Sequence, residues 1–203
     1  MLWGLLGLQL VAFPMQSRAQ ELRTVGFQLG QVRARQLWDG PFGTRVAKGV
    51  RVGVDVDVPT RHHRLSVRAG LAYTQRGSVV WDEIVDPDAL TPANARSHYL
   101  SISIQGRLKA AIPGGAVYLI LGPTIDQLLE TECSADLCRL LLEERPTVLG
   151  VTVGSGVTFG VPQRLLADAE VRLTEGLTEA YRSGPDAVRY RSVEILLRIR
   201  LPV

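Results

Sequence analysis

Strict alternation of apolar and polar residues is the feature that most constrains how this chain folds. Residues 50–58 have the sequence VRVGVDVDV, with a valine at every even position. A helix of about 3.6 residues per turn would scatter these valines around its circumference, whereas a strand places all of them on one face. The segment is therefore predicted to be a β-strand with one apolar and one polar face.

The same period of two recurs along the chain. Eight segments show it, at residues 24–30, 50–58, 65–76, 100–109, 117–126, 149–159, 165–174 and 192–201. Their lengths are close to the roughly 9–11 residues that a tilted transmembrane strand needs. An even number of such segments is typical of a closed antiparallel sheet. The pattern predicts an all-β fold, an eight-stranded antiparallel up-and-down transmembrane β-barrel.

The connections between these segments alternate in length. Long connections span residues 31–47, 77–97 and 128–146, and short ones lie near residues 59–63, 112–115 and 161–164. Long and short loops therefore fall at opposite ends of the sheet, as in outer-membrane barrels with short periplasmic turns and longer external loops. With no linker or repeat beyond this rhythm, residues 20–203 are predicted to form one barrel domain.

The distribution of charge indicates which face of the strands is inside. The chain is 46% hydrophobic and 21% charged, and the charges lie on the polar faces of the strands. Eight strands enclose a lumen just wide enough for side chains to fill, so the many aliphatic residues would overfill it. We therefore expect the aliphatic faces to contact lipid. The alternative is a secreted, soluble calycin-like barrel that binds a small hydrophobic ligand inside.

In the membrane barrel, the polar faces supply a lumenal charge network. Its predicted cations are Arg51, Arg68, Arg76, Arg107, Lys109, Arg172, Arg198 and Arg200. Its predicted anions are Asp55, Asp57, Asp126, Asp168, Glu170 and Glu194. A buried ion without a counter-ion costs several kcal/mol, so these groups are expected to pair and plug the lumen. A gated ion path or a binding cleft is the functional alternative.

The N-terminus has the layout of a secretory signal peptide. Residues 2–13 are mostly apolar and too few to span a bilayer, and small residues Ser17 and Ala19 precede Gln20. We predict a signal peptide over residues 1–19, the alternative being a helix packed in the core. Without it, 22 basic residues (23 less Arg18) face 20 acidic ones, a balance that does not indicate nucleic-acid binding.

Few residues suggest chemistry. Cys133 and Cys138 lie in a long connection, and export to an oxidising compartment favours a disulfide between them. Two cysteines with no nearby histidine make a poor metal site. The chain has three histidines, of which two are adjacent, and no Ser-His-Asp set can be singled out. No catalytic, cofactor or metal site is predicted, and the protein is not expected to be an enzyme.

Four local motifs suggest a family: VGFQLG at 25–30, GLAYTQRG at 70–77, HYLSI at 98–102 and YLILGP at 118–123. With the strand pattern, they resemble small PorT-like outer-membrane β-barrel domains, which are similar in architecture to the OmpA and OmpX transmembrane domains. The resemblance implies an integral protein of the outer membrane of a Gram-negative-type bacterium, usually without an established activity. We expect a structural or loop-mediated interaction role. We expect a monomer in contact with membrane lipid, whose loops 31–47, 77–97 and 128–146 meet an extracellular ligand or protein.

Overall fold

The computed structural model describes residues 23–38, 43–81, 93–133, 143–161, 165–183 and 186–203. The predicted signal peptide, residues 1–19, and Cys138 of the predicted disulfide lie outside these residues. No helix in this part of the chain is long and apolar enough to cross a membrane.

Ten β-strands make up the regular structure of the described residues. They are β1 (Thr24–Trp38), β2 (Gly43–Pro59), β3 (Leu65–Trp81), β4 (Ala93–Ile112), β5 (Gly115–Cys133), β6 (Glu143–Glu144), β7 (Thr147–Val161), β8 (Leu165–Gly176), β9 (Tyr181–Ser183) and β10 (Asp186–Pro202).

Eight of these strands close into a barrel. They pair in the order β1-β2-β3-β4-β5-β7-β8-β10, always antiparallel, and β1 pairs back onto β10. Phe27, for example, is opposite Ile199 on one side and Val54 on the other. The short strands β6 and β9 add to the sheet beside β10 at one end. The predicted eight-stranded up-and-down antiparallel barrel is confirmed.

The two faces of the barrel wall have opposite polarity. Outside, Leu29, Leu121 and Leu197 are 61%, 62% and 68% exposed, whereas inside, the Arg68 and Asp126 side chains are buried. This is the reverse of the soluble barrel considered above, because a charged interior offers no apolar lining to a hydrophobic ligand. A barrel with this polarity needs lipid around it.

The apolar outer surface has the height of a membrane. On β10 its outward residues run from Val193 to Leu201. At about 3.4 Å per residue this is about 27 Å along the strand, and a tilt of about 40° reduces it to about 20 Å. The value is close to the apolar band of about 25 Å in outer-membrane barrels.

The strands extend further than predicted. Much of the expected long loops 31–47, 77–97 and 128–146 is strand, since β1 continues to Trp38, β3 to Trp81 and β5 to Cys133. The loop prediction is wrong in these parts because the outer face above the apolar band meets water. On β1 the outward residues Arg33 and Arg35 are polar there and the inward Val32 and Ala34 are apolar, so the apolar outer face ends while the backbone ladder continues.

The short turns and the chain ends define the periplasmic end. Residues 60–64 join β2 to β3, and Pro113 and Gly114 join β4 to β5. Gly114 adopts a φ of 80°, as the second central residue of a type II turn after proline requires. The Val203 N–H donates to the Arg23 carbonyl (2.8 Å), so the ends of the described barrel meet there. In outer-membrane barrels this end faces the periplasm.

Candidate functional site

The lumen holds almost all of the predicted charge network. Seven arginines and six carboxylates are at most 4% exposed: Arg51, Arg68, Arg76, Arg107, Arg172, Arg198, Arg200, Asp55, Asp57, Asp126, Asp168, Glu170 and Glu194. These thirteen are called the lumenal network below. The predicted member Lys109 is half-buried near the turn between β2 and β3, where its backbone N–H donates to the Arg64 carbonyl (2.7 Å).

Arg198 lies at the centre of the lumenal network. Its Nε donates to Asp55 Oδ2 at 2.7 Å, and its Nη1 lies 3.1 Å from Glu170 Oε2 and 3.3 Å from Asp168 Oδ2. Its Nη2 donates to Gln28 Oε1 at 3.3 Å. One guanidinium therefore joins groups from β1, β2 and β8 across the lumen.

Glu170 is the most heavily shared carboxylate. Besides Arg198, it accepts from Arg68 Nη1 at 2.8 Å and from the Nε of Arg172. The Tyr118 hydroxyl donates to the same Oε2 atom at 2.8 Å. Three cations and one hydroxyl thus converge on a single anion, and charge-assisted bonds of this kind are about twice as strong as neutral ones.

Two further arginines close the network towards the periplasm. Arg107 donates to Asp57 Oδ2 at 2.8 Å and to Thr158 Oγ1 at 2.6 Å. Arg200 donates to Asp168 Oδ1 at 2.8 Å. The Arg107 guanidinium also lies 3.8 Å from the centre of the Tyr118 ring, a cation–π contact.

Gly156 makes room for that ring. A Cβ on Gly156 would lie 2.5 Å from the Tyr118 ring and hydroxyl. The glycine in β7 therefore allows Tyr118 of β5 to reach across the lumen and contact both Arg107 and Glu170.

A smaller ionic group lies further towards the extracellular end. Arg76 pairs with Asp126, and its Nη2 is 3.7 Å from Glu194 Oε1. Arg51 Nη1 is 3.6 Å from Glu194 Oε2 and donates to Thr74 Oγ1 at 3.0 Å. The two arginines therefore share Glu194 through longer contacts than those around Glu170.

Above this group, three buried tyrosines fill the extracellular mouth. Tyr99, Tyr181 and Tyr190 stack edge to face, with ring centres 6.0 Å apart for Tyr99–Tyr190 and 5.9 Å for Tyr181–Tyr190. Ser97 Oγ contacts the hydroxyls of Tyr181 and Tyr190, and Gln36 Nε2 donates to Tyr190 at 3.1 Å. We call these three residues the tyrosine cluster.

Sequence reasoning did not single out the tyrosine cluster. Tyr99 and Tyr190 each lie two residues from a lumenal serine, Ser101 and Ser192 respectively. Strict alternation along the strand therefore predicts that both tyrosines face the lumen. Tyr181 lies in β9 and comes over the mouth through pairing with β10. That pairing leaves no periodic signal, because β9 has only three residues.

The described residues do not meet the requirements of a metal centre. No group of three or more His, Cys, Asp or Glu side chains suitable for a metal is found among them. Cys133 ends β5, but the proposed bond to Cys138 stays a prediction because Cys138 is outside the described residues.

Comparison with known proteins shows similarity in fold. No protein-family model matches the sequence, and no curated protein is significantly similar to it. The outer membrane protein OprG from Pseudomonas aeruginosa has a TM-score of 0.59 at 10% identity, covering 90% of this chain and 97% of that one. Neisserial surface protein A (NspA) has a TM-score of 0.52 at 15% identity, covering 88% and 97%.

The shared fold and the apolar outer band of this chain lead to one conclusion. The protein is an integral β-barrel of the bacterial outer membrane, as predicted. It shares the small eight-stranded architecture, while a specific affiliation with PorT-like barrels stays a prediction.

Proposed function

We propose that this protein is a closed, non-catalytic outer-membrane barrel whose working surface is its extracellular end. The lumen acts as a rigid scaffold, and the strands and loops outside the membrane meet an extracellular ligand or protein. The single observation that carries this proposal is the filled lumen, with the lumenal network below and the tyrosine cluster above.

The lumenal network supports a plug rather than an ion path. Each of its seven arginines lies within 4.0 Å of at least one lumenal carboxylate. A permeating ion would have to break several of these contacts, and a buried charge left without its partner costs about 3–5 kcal/mol. The tyrosine cluster closes the same lumen a second time at the mouth.

The long extracellular strands support a role outside the membrane. On β1, Arg33 is opposite Val193, the last outward apolar residue of β10, and the strand continues five residues further, to Trp38, which is about 17 Å along the strand. The side chains of Ala95 and Val148 pack with the tyrosine cluster inside this extension. The extension is therefore a packed structure that can present a fixed surface outside the membrane.

Conductance tests the closed lumen. We expect the protein, inserted in planar bilayers, to give no discrete current steps in molar KCl. Insertion is verified separately by the different migration of boiled and unboiled samples on denaturing gels. Reproducible ohmic steps from inserted protein would contradict a closed scaffold.

Epitope tags test which end is outside. A tag inserted within residues 134–142 should bind antibody on intact cells. The same tag between Pro113 and Gly114 should bind only after the outer membrane is permeabilised. Labelling of the second tag on intact cells would overturn the proposed orientation.

A further inference from the structure

Four basic side chains lie outside the barrel, just above the apolar band. Arg33 and Arg35 are on β1, Lys48 is on β2 and Arg191 is on β10, and all four are exposed. These residues are called the basic rim. Its three strands are neighbours in the wall, with β1 in the middle.

Strand register brings the basic rim into one cluster. Arg33 is directly opposite Lys48, and Arg35 is directly opposite Arg191. Opposite residues on one face of a sheet have Cβ atoms about 5 Å apart. Because like charges in such positions destabilise the sheet, this cluster favours an anion lying over it.

The protein itself supplies little counter-charge. Glu175 accepts from Arg191 Nε at 2.5 Å and from Nη2 at 3.0 Å. Within the described ranges, no carboxylate forms an ion pair with Arg33, Arg35 or Lys48. Counted over the described residues, the four cations of the basic rim and the one carboxylate of Glu175 leave a local excess of three positive charges.

The polar surface further round the barrel differs. On β3, β4 and β5 the Tyr73 hydroxyl bonds to His98 Nδ1, and Gln75 Nε2 donates to Tyr73 at 3.0 Å. His98 Nε2 in turn lies 3.5 Å from Glu132 Oε1. These groups partner one another, unlike Arg33, Arg35 and Lys48 of the basic rim.

The basic rim lies at the level of the lipid head groups. On β10, Arg191 is the first outward residue beyond the apolar Val193. On β2, Lys48 lies between the exposed apolar residues Val50 and Val46. A step of two residues is about 7 Å along a strand and about 5 Å in height, and the head-group region extends about 5–7 Å beyond the hydrocarbon.

The surface below the basic rim is suited to acyl chains. Leu29 is opposite both Val52 and Leu197, and all three are exposed on the outer face. Phe27 continues this apolar surface towards the periplasm. A ligand that covers both regions carries several negative charges close to its hydrocarbon chains.

We propose that the basic rim binds the phosphates of a multiply phosphorylated glycolipid in the outer leaflet. The acyl chains of that lipid lie along the β10–β1–β2 face. Guanidinium groups bind phosphate through two parallel N–H bonds, which accounts for arginine at three of the four positions. The inference rests on the outer-membrane orientation but not on the closed lumen, so a conducting protein would leave it standing.

A charge-matched pair of variants tests the proposal. The rim variant is R33Q/R35Q/K48Q, and the control R23Q/R61Q/R64Q removes three exposed positive charges at the periplasmic end. Binding to detergent-solubilised protein is measured by native mass spectrometry. The probes are bisphosphorylated lipid A, the same lipid without phosphates, and soluble tripolyphosphate.

We expect the rim variant to bind bisphosphorylated lipid A roughly 10- to 100-fold more weakly than the unaltered protein, and the control variant to bind it normally. The phosphate-free lipid should bind the unaltered protein about as weakly as the rim variant binds lipid A. Equal binding by the two variants, or full binding of the phosphate-free lipid, would overturn the proposal. Tripolyphosphate binding as tightly as lipid A would overturn a lipid as the occupant.

A salt titration of the unaltered protein provides a second, variant-free test. Exposed charges are screened by salt, with a Debye length of about 10 Å at 0.1 M and about 3 Å at 1 M. Lipid A binding should therefore weaken steeply between these concentrations. Binding that is independent of salt would contradict recognition by the basic rim.

Discussion

The lumenal network and the basic rim are both rich in arginine, but the two regions treat its charge in opposite ways. Inside, Arg68 and Arg198 are buried and converge on Glu170 at 2.8 and 3.1 Å. Outside, Arg33 is exposed and faces another cation, Lys48, across the strand pair. An arginine that faces the lumen thus stabilises the barrel, whereas one that faces outward remains available to a ligand.

The energetic consequences differ in size and sign. Removing one partner of a buried ion pair leaves an unpaired charge in a dry interior and costs about 3–5 kcal/mol. An exposed pair contributes about 0–1 kcal/mol, and like charges opposite each other are mildly unfavourable. Substitutions on the two faces of the same wall therefore separate the two roles.

The largest effect is expected from Glu170→Gln. The substitution keeps the side-chain shape but removes the anion shared by Arg68, Arg172 and Arg198. The free energy of unfolding should fall by about 3–5 kcal/mol, measured by urea titration in detergent with tryptophan fluorescence.

Glu175→Gln is the matched control on the same strand. Glu175 pairs with the exposed Arg191, so its loss should change the free energy of unfolding by less than about 1 kcal/mol. Equal losses from the two substitutions would show that the lumenal charges are hydrated, against the structure.

A smaller effect is expected from Gly156→Ala. The new methyl group would meet the Tyr118 ring and push it away from Arg107. Overpacking of this kind costs about 1–3 kcal/mol. Gly160→Ala, on the same strand but with open space around its Cβ position, should cost clearly less in the same titration. If both variants unfold alike, the tyrosine does not occupy the lumen as described.

The smallest effect, with the opposite sign, is expected from Arg33→Gln. Without lipid it relieves repulsion from Lys48 and should raise the free energy of unfolding by about 0.2–1 kcal/mol at low salt. The gain should vanish at 1 M salt because exposed charges are then screened. A loss of stability at low salt would mean that Arg33 has a favourable protein partner, and the basic rim would lose its rationale.

The alternation of residues predicted the wall of the barrel well. Parity alone placed Arg51, Asp55 and Asp57 on one face and the intervening valines on the other, because the side-chain period of a strand is two. Which carboxylate each arginine meets could not be predicted in the same way. Arg198 and Asp55 are 143 residues apart in sequence, and they meet only when β10 and β2 both pair with β1.

Two other features were not predicted from the sequence. Above the membrane the polarity of β1 reverses, with Val32 and Ala34 buried and Arg33 and Arg35 exposed. Residues 31–38 therefore do not continue the apolar outer face and read as loop, although they are hydrogen-bonded to β10. The basic rim depends on register, since Arg35 and Arg191 become neighbours only through the pairing that closes the barrel, and periodicity does not encode that pairing.

The most direct test of the inside-out barrel is a spin-label scan of residues 50–58 in lipid bilayers, with Cys133 and Cys138 replaced by serine. The structure predicts that labels at the five valine positions collide freely with oxygen dissolved in the lipid. Labels at positions 51, 55 and 57 should be shielded from oxygen by the lumen, with a period of two along the strand. Labels that are shielded from oxygen at the valine positions and exposed to water at 51, 55 and 57 would contradict the inside-out barrel and favour the soluble barrel instead.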